Sequence, residues 1–145
     1  MNIQKTDHIG IVVNDLPAAK AFFLDLGLEL QGEAEVEGKW VDRVVGLTNV
    51  RSSIAVLRPP DGGSNIELIK YDNPSSEQEI QLPLANTFGI RNIAFTVDDI
   101  EAVVAGLKEK GMEIFGDIQK YEKSYKLCYI RGPEGIILML AEELN

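Results

Sequence analysis

The sequence has one cysteine, one histidine and one tryptophan in 145 residues. A single cysteine, Cys128, excludes an internal disulfide and a thiolate zinc knuckle. It lies in the apolar run LCYIR, where a thiol is expected to be a buried core residue. A single histidine, His8, excludes a site with two imidazoles from one chain, and a Cys–His dyad would have to join Cys128 to His8. Basic residues are scarce beside acidic ones, 14 against 23, for a formal charge of −9. That field repels polyanions, so neither nucleic acid nor an anionic membrane surface is expected as a partner. A small anion would have to find one of the scattered cations Arg43, Arg51, Arg58, Arg91, Lys120, Lys123, Lys126 or Arg131. No apolar run is long enough to span a bilayer, and the opening MNIQKTDH is polar, unlike a secretory signal. A cytoplasmic protein is expected.

What is present is a repeat. Residues 7–30 lie on residues 91–114 at a constant offset of 84, without a gap. Ile9 falls on Ile93, Val13 on Val97, Asp15 on Asp99, Ala18 on Ala102, Gly27 on Gly111 and Glu29 on Glu113. Each copy reads as strand, helix, strand. HIGIVV and NIAFTV are short, apolar and β-branched. Asn14-Asp15 and Asp98-Asp99 supply helix N-cap oxygens, and Pro17 suits a first helical turn. Gly27 and Gly111 are positioned to stop the helices as left-handed C-caps. After the first helix, WVDRVVGL, SSIAVLRP and NIELIKY read as strands, with PPDGGS as a hairpin turn. After the second, YKLCYIR and IILMLAE flank the turn GPEG, and residues 116–124 leave room for a short strand. Tyr121, Tyr125 and Tyr129 are expected as packing residues. The expected fold class is α+β, a single domain 1–145 of two tandem βαβββ modules, about 4–71 and about 88–143, joined by a linker at about 72–87.

A duplicated βαβββ unit, with His8 near the start of its first strand and Glu67 in its last, resembles the vicinal oxygen chelate superfamily. That superfamily holds glyoxalase I, methylmalonyl-CoA epimerase, extradiol dioxygenases and the fosfomycin and bleomycin resistance proteins. The resemblance rests on DHIGIVVNDLPAAKAFFLDLGLEL, SNIELIKY, NIAFTVDDIEAVVAGLKEKGMEI and YIRGPEGIILML, and so covers almost the whole chain. It implies a cup-shaped mixed sheet, with one metal ligand from the first and one from the last strand of each module. The matching positions are His8, Glu67, Asn92 and Met139.

Strand alternation agrees with this placement. Ile9, Ile11 and Val13 form one face of their strand, and His8, Gly10 and Val12 the other. By the same alternation Asp7 points away from His8 and is not expected to orient it. His8 and Glu67 suit a divalent Zn, Ni, Co, Fe or Mn ion. Asn92 offers only an amide oxygen and Met139 a soft thioether, so these two are read as substrate-binding positions. Trp40 and Arg43, assigned to the second strand, are read as a stacking surface and an anion clamp for substrate. With one histidine the facial triad of two histidines and one carboxylate is missing, which counts heavily against an extradiol dioxygenase. The expected function is the binding of a small carbonyl or carboxylate compound, with a reduced metal site at His8 and Glu67. As an enzyme it would be a lyase or isomerase in which Glu67 moves the proton. A non-catalytic drug-sequestering protein and a domain with a filled cup stay open as alternatives. Unpaired sheet edges favour a homodimer.

Overall fold

In the computed structural model, residues 1–144 are described. The chain forms two compact units, Met1–Glu79 and a second beginning at Ile80.

The first unit runs β1 (His8–Val12), α1 (Leu16–Asp25), β2 (Glu29–Glu37), α2 (Lys39–Val45), β3 (Arg51–Arg58) and β4 (Asn65–Asn73). Its strand order is β1-β4-β3-β2, with β1 parallel to β4 and the other pairs antiparallel. Asp15 caps α1 by accepting from the Ala18 amide at 3.1 Å. Gly27, at φ 107°, ends the helix, and the Leu28 amide returns to the Phe23 carbonyl. Ala19, Phe22 and Phe23 form the buried stripe of α1 and pack over Ala55, Leu57, Ile66 and Leu68 of β3 and β4.

The second unit repeats this plan with β5 (Ile93–Thr96), α3 (Ile100–Glu109), β6 (Glu113–Ile114), β7 (Gln119–Tyr121), β8 (Tyr125–Arg131) and β9 (Ile137–Glu143). Its order is β5-β9-β8-β6, β5 is parallel to β9, and β7 pairs with β8. The Asp99 cap on the Ala102 amide, at 3.1 Å, is the counterpart of Asp15 on Ala18. Ile100, Val104 and Leu107 of α3 are buried, as are Cys128, Ile130, Leu138 and Leu140 of the sheet. The two-module α+β plan is therefore the one the repeat implies. Cys128 is a core thiol, and burial raises its pKa.

One element differs from expectation. WVDRVVGL forms a helix, α2, rather than a strand; the strand is the acidic stretch ELQGEAEVE before it. Two local features decide this. Gly46, at φ 76°, closes the helix in the left-handed conformation. Asp42 accepts from the Val50 amide at 2.8 Å and the Asn49 amide at 3.1 Å, which ties the helix to the start of β3. A carboxylate that serves two amides through a turn outweighs the β-propensity of three valines, of which only Val41 is buried. Asp42→Ala is expected to cost about 2 kcal/mol, because it leaves the part-buried Val50 amide unpaired and frees the Asn49 amide as well. Urea unfolding measures this, and a loss below about 0.5 kcal/mol would remove Asp42 as the organiser of the turn.

Candidate functional site

In the first unit, α1 covers one face of the sheet and leaves His8, Gly10 and Val12 of β1 on the other. Gly10 registers with Glu67, and Val56 of β3 flanks Glu67 from the far side. Ile66 and Leu68 point into the core, so Glu67 shares the open face with His8. The side chains of His8 and Glu67 are 40% and 21% exposed, and His8 Nε2 stands 3.4 Å from Glu67 Oε2. A carboxylate and an imidazole thus meet on a face that water and solutes reach.

Asp7 corrects the sequence expectation. Its Oδ2 lies 2.8 Å from His8 Nδ1. Strand alternation does not govern it, because β1 begins at His8 and Asp7 is free to turn toward the ring. The imidazole is held by Asp7 on Nδ1 and faces Glu67 with Nε2. The hydrogen bond that His8 donates to Asp7 raises the His8 pKa, partial burial opposes the rise, and the Glu67 charge adds to it. The Asp7 carboxyl is lowered by the same contact.

The sign follows from these directions. The folded pKa of His8 lies above its unfolded value, so its stabilisation is complete below about pH 6.5 and is lost as pH rises through the folded pKa. Asp7→Asn is expected to return the His8 pKa toward its ordinary value. Since His8 is the only histidine, a carbon-detected imidazole titration reads it without assignment. An unchanged midpoint in the variant would show that Asp7 does not hold the ring.

The spacing of the pair is that of two of the three or four protein donors a divalent ion takes. A nitrogen and an oxygen each about 2.1 Å from a tetrahedral ion stand about 3.4 Å apart. A carboxylate on the far nitrogen is also the usual support of a metal-binding histidine.

The corresponding positions of the second unit carry other chemistry. Ala94 registers with Met139 as Gly10 does with Glu67, so Glu67 and Met139 occupy equivalent places in their sheets. Met139 is half-buried, and Asn92 Nδ2 lies 3.3 Å from the Tyr129 hydroxyl. Neither residue brings an ionisable donor. Trp40 and Arg43 lie on α2 rather than on a strand, so their expected setting is wrong. The helix packs on β2, the sheet edge opposite β1, and two strands separate that edge from His8. Trp40 is largely exposed.

Among the described residues, one carboxylate trio gathers: Asp99, Glu101 and Glu142. Each member already has a structural task. Asp99 caps α3, Glu142 accepts from the Ile100 amide at 2.9 Å, and Glu101 pairs with Lys126 at 2.8 Å. Sequence reasoning missed two residues of the open faces. Strand alternation alone points Asp7 away from His8. Arg131 was one of eight scattered cations, although its place two residues after Tyr129 already put both on one face.

Comparison with known proteins agrees with this architecture. The chain is 42% identical to a glyoxalase family protein from Bacillus cereus, covering 100% of this chain and 97% of that one, with a TM-score of 0.95. It is 26% identical to the uncharacterized protein YaeR of Escherichia coli K12, over 99% of both chains. It is 31% identical to ethylmalonyl-CoA/methylmalonyl-CoA epimerase of Cereibacter sphaeroides, over 79% of this chain and 76% of that protein. Among the described residues, no helix is long and apolar enough to cross a membrane. A family profile matches residues 7–129, and the chain belongs to the Glyoxalase/Bleomycin resistance protein/Dioxygenase superfamily.

Proposed function

We propose that the chain binds a small carbonyl or carboxylate compound and moves a proton on the carbon beside the carbonyl, as a lyase or isomerase. Glu67 takes and returns that proton. His8 and Glu67 would hold a divalent Zn, Ni, Co, Fe or Mn ion, a kind of cofactor common in this superfamily. The observation that carries the reading is the pair itself: an imidazole and a carboxylate 3.4 Å apart on a half-open face. Support also comes from the 31% identical epimerase, since epimerisation is the removal and return of such a proton.

When bound, the ion would supply Lewis-acid polarisation of the carbonyl. The chain's residues supply the rest. Asp7 fixes the His8 ring, so that Nε2 faces the open side. Glu67 lies between Gly10 and Val56 of the neighbouring strands, and the absence of a side chain at Gly10 leaves its carboxylate space on that side. Asn92 and Met139 are proposed as substrate contacts, and Trp40 and Arg43 as contacts for a more distant part of the substrate. The working form is proposed to be a cytoplasmic homodimer.

A second reading, sequestration of a small molecule without catalysis, is favoured by one observation: Asn92 and Met139 bring no ionisable group. Elemental analysis of untagged protein separates the two. Near-stoichiometric ion in the wild type, lost in His8→Ala and in Glu67→Ala, is the expected result. Protein that stays metal-free after incubation with each of the five ions would overturn the metal assignment and leave sequestration as the better account.

A further inference from the structure

The second unit opens, ahead of β5, with a stretch that carries no charge. Residues 80–90 read IQLPLANTFGI, without one acidic or basic side chain in a chain of which 26% is charged. They form neither helix nor strand. Their large apolar side chains face solvent. Phe88 is 99% exposed and Ile90 91%, and Ile80, Leu82 and Leu84 are each more than half exposed.

The backbone beneath them is held. Gln81 and Pro83 alternate with Ile80, Leu82 and Leu84 and lie against the turn at Gly135, whose missing Cβ makes room for the Gln81 carbonyl. The Leu84 amide donates to Thr87 Oγ1 at 2.9 Å, and the Thr87 amide returns to the Leu84 carbonyl at 3.1 Å. Arg91 closes the stretch, donating from Nε to the Thr87 carbonyl at 2.8 Å and from Nη2 to the Phe88 carbonyl at 2.6 Å. Five apolar side chains thus stand on a backbone with little freedom left to lose on binding.

We propose that residues 80–90 are the surface through which two copies of this chain meet. The area fits a second copy. At about 150–250 Å² for a free side chain of this size, the five present roughly 700 Å², above the roughly 300–600 Å² of the largest apolar patch on a typical monomer. It is close to the roughly 800 Å² that each partner buries in a standard interface. The charge fits as well. Chains of net charge −9 repel one another. A stretch free of charge is where two of them approach without setting carboxylates face to face. A two-fold axis brings the same segment opposite itself, and a neutral apolar surface is complementary to its own copy. The inference rests on the homodimer proposed above and gives it a contact surface. It does not involve the His8–Glu67 pair.

The test is sedimentation equilibrium of the untagged full chain over a concentration series. A species of twice the 16.0 kDa chain mass is expected in the wild type. Phe88→Asp should raise the dimer dissociation constant at least about thirtyfold, as the loss of an aromatic anchor does. Val44→Asp is the control: Val44 is exposed on α2, outside the segment, and its replacement should leave dimerisation unchanged. Where Phe88→Asp does not fold, the wild type decides. A neutral gadolinium chelate in solution should broaden the methyl signals of Leu82, Leu84 and Ile90 less in the concentrated dimer than in the dilute monomer. Methyls equally open in both would overturn the proposal. So would a Phe88→Asp dimer as tight as wild type, or a Val44→Asp dimer weakened as much as Phe88→Asp; the homodimer would then stand on another surface. A wild type that stays monomeric at every concentration would overturn this surface and the homodimer together, and leave the segment to a different occupant.

Discussion

Glu67→Gln is expected to slow proton exchange at the carbon beside the carbonyl by about 10²–10⁴-fold. The assay follows a small carbonyl or carboxylate compound on which the wild type exchanges, in heavy water, reading solvent deuterium at the α-carbon by NMR. Glutamine keeps the size and one oxygen of the side chain but cannot take a proton. The fold should survive, because Glu67 and His8 are both partly exposed, at 21% and 40%, and such pairs contribute little to stability. Metal content measured on the same sample divides the role of Glu67. Exchange that falls while metal is retained makes Glu67 the base. Exchange and metal lost in step make it a ligand whose loss removes the site. Wild-type rates in the variant would end its assignment to proton transfer.

Gly135→Ala is expected to destabilise the second unit by at least about 3 kcal/mol, a fall in melting temperature of about 6–12 °C. Gly135 sits at φ 79° in the turn between β8 and β9, following Glu134 at φ 55°. An added Cβ would meet the same penalty any L-residue pays there. It would also overlap the Gln81 backbone carbonyl and press on Pro83. Backbone cannot give way as a side chain does, so residues 81–83 would have to lift off the turn. Gly106→Ala is the control. It lies inside α3 with nothing within 4 Å of the added Cβ, and alanine there should stabilise by about 0.5–1 kcal/mol. A similar small change in both variants would show that the segment before β5 does not pack on the turn.

The repeat was legible because local rules wrote it twice. Asp15 and Asp99 cap their helices, Gly27 and Gly111 end them at positive φ, and the buried stripes on α1 and α3 follow helical spacing. Such signals act within a few residues, and the sequence displays them directly. The shared face of His8 and Glu67 was legible too, since strand alternation has a fixed period and the repeat aligned the strands.

What the sequence did not disclose depends on neighbours distant along the chain or on backbone geometry at element ends. The valines of WVDRVVGL suited a strand, and the bonds from Asn49 and Val50 to Asp42 made a helix of them. Asp7 reaches His8 only because the strand starts one residue later. Arg131 stands out from seven other cations only once Phe115, carried over from the edge strand, lies beside it and its Nη1 is left without an acceptor. Periodicity and capping chemistry, both encoded locally, determined the two-module fold and the face that carries His8. Pairing between strands far apart in sequence decided which charges meet there, because register and burial exist only after the sheet has formed.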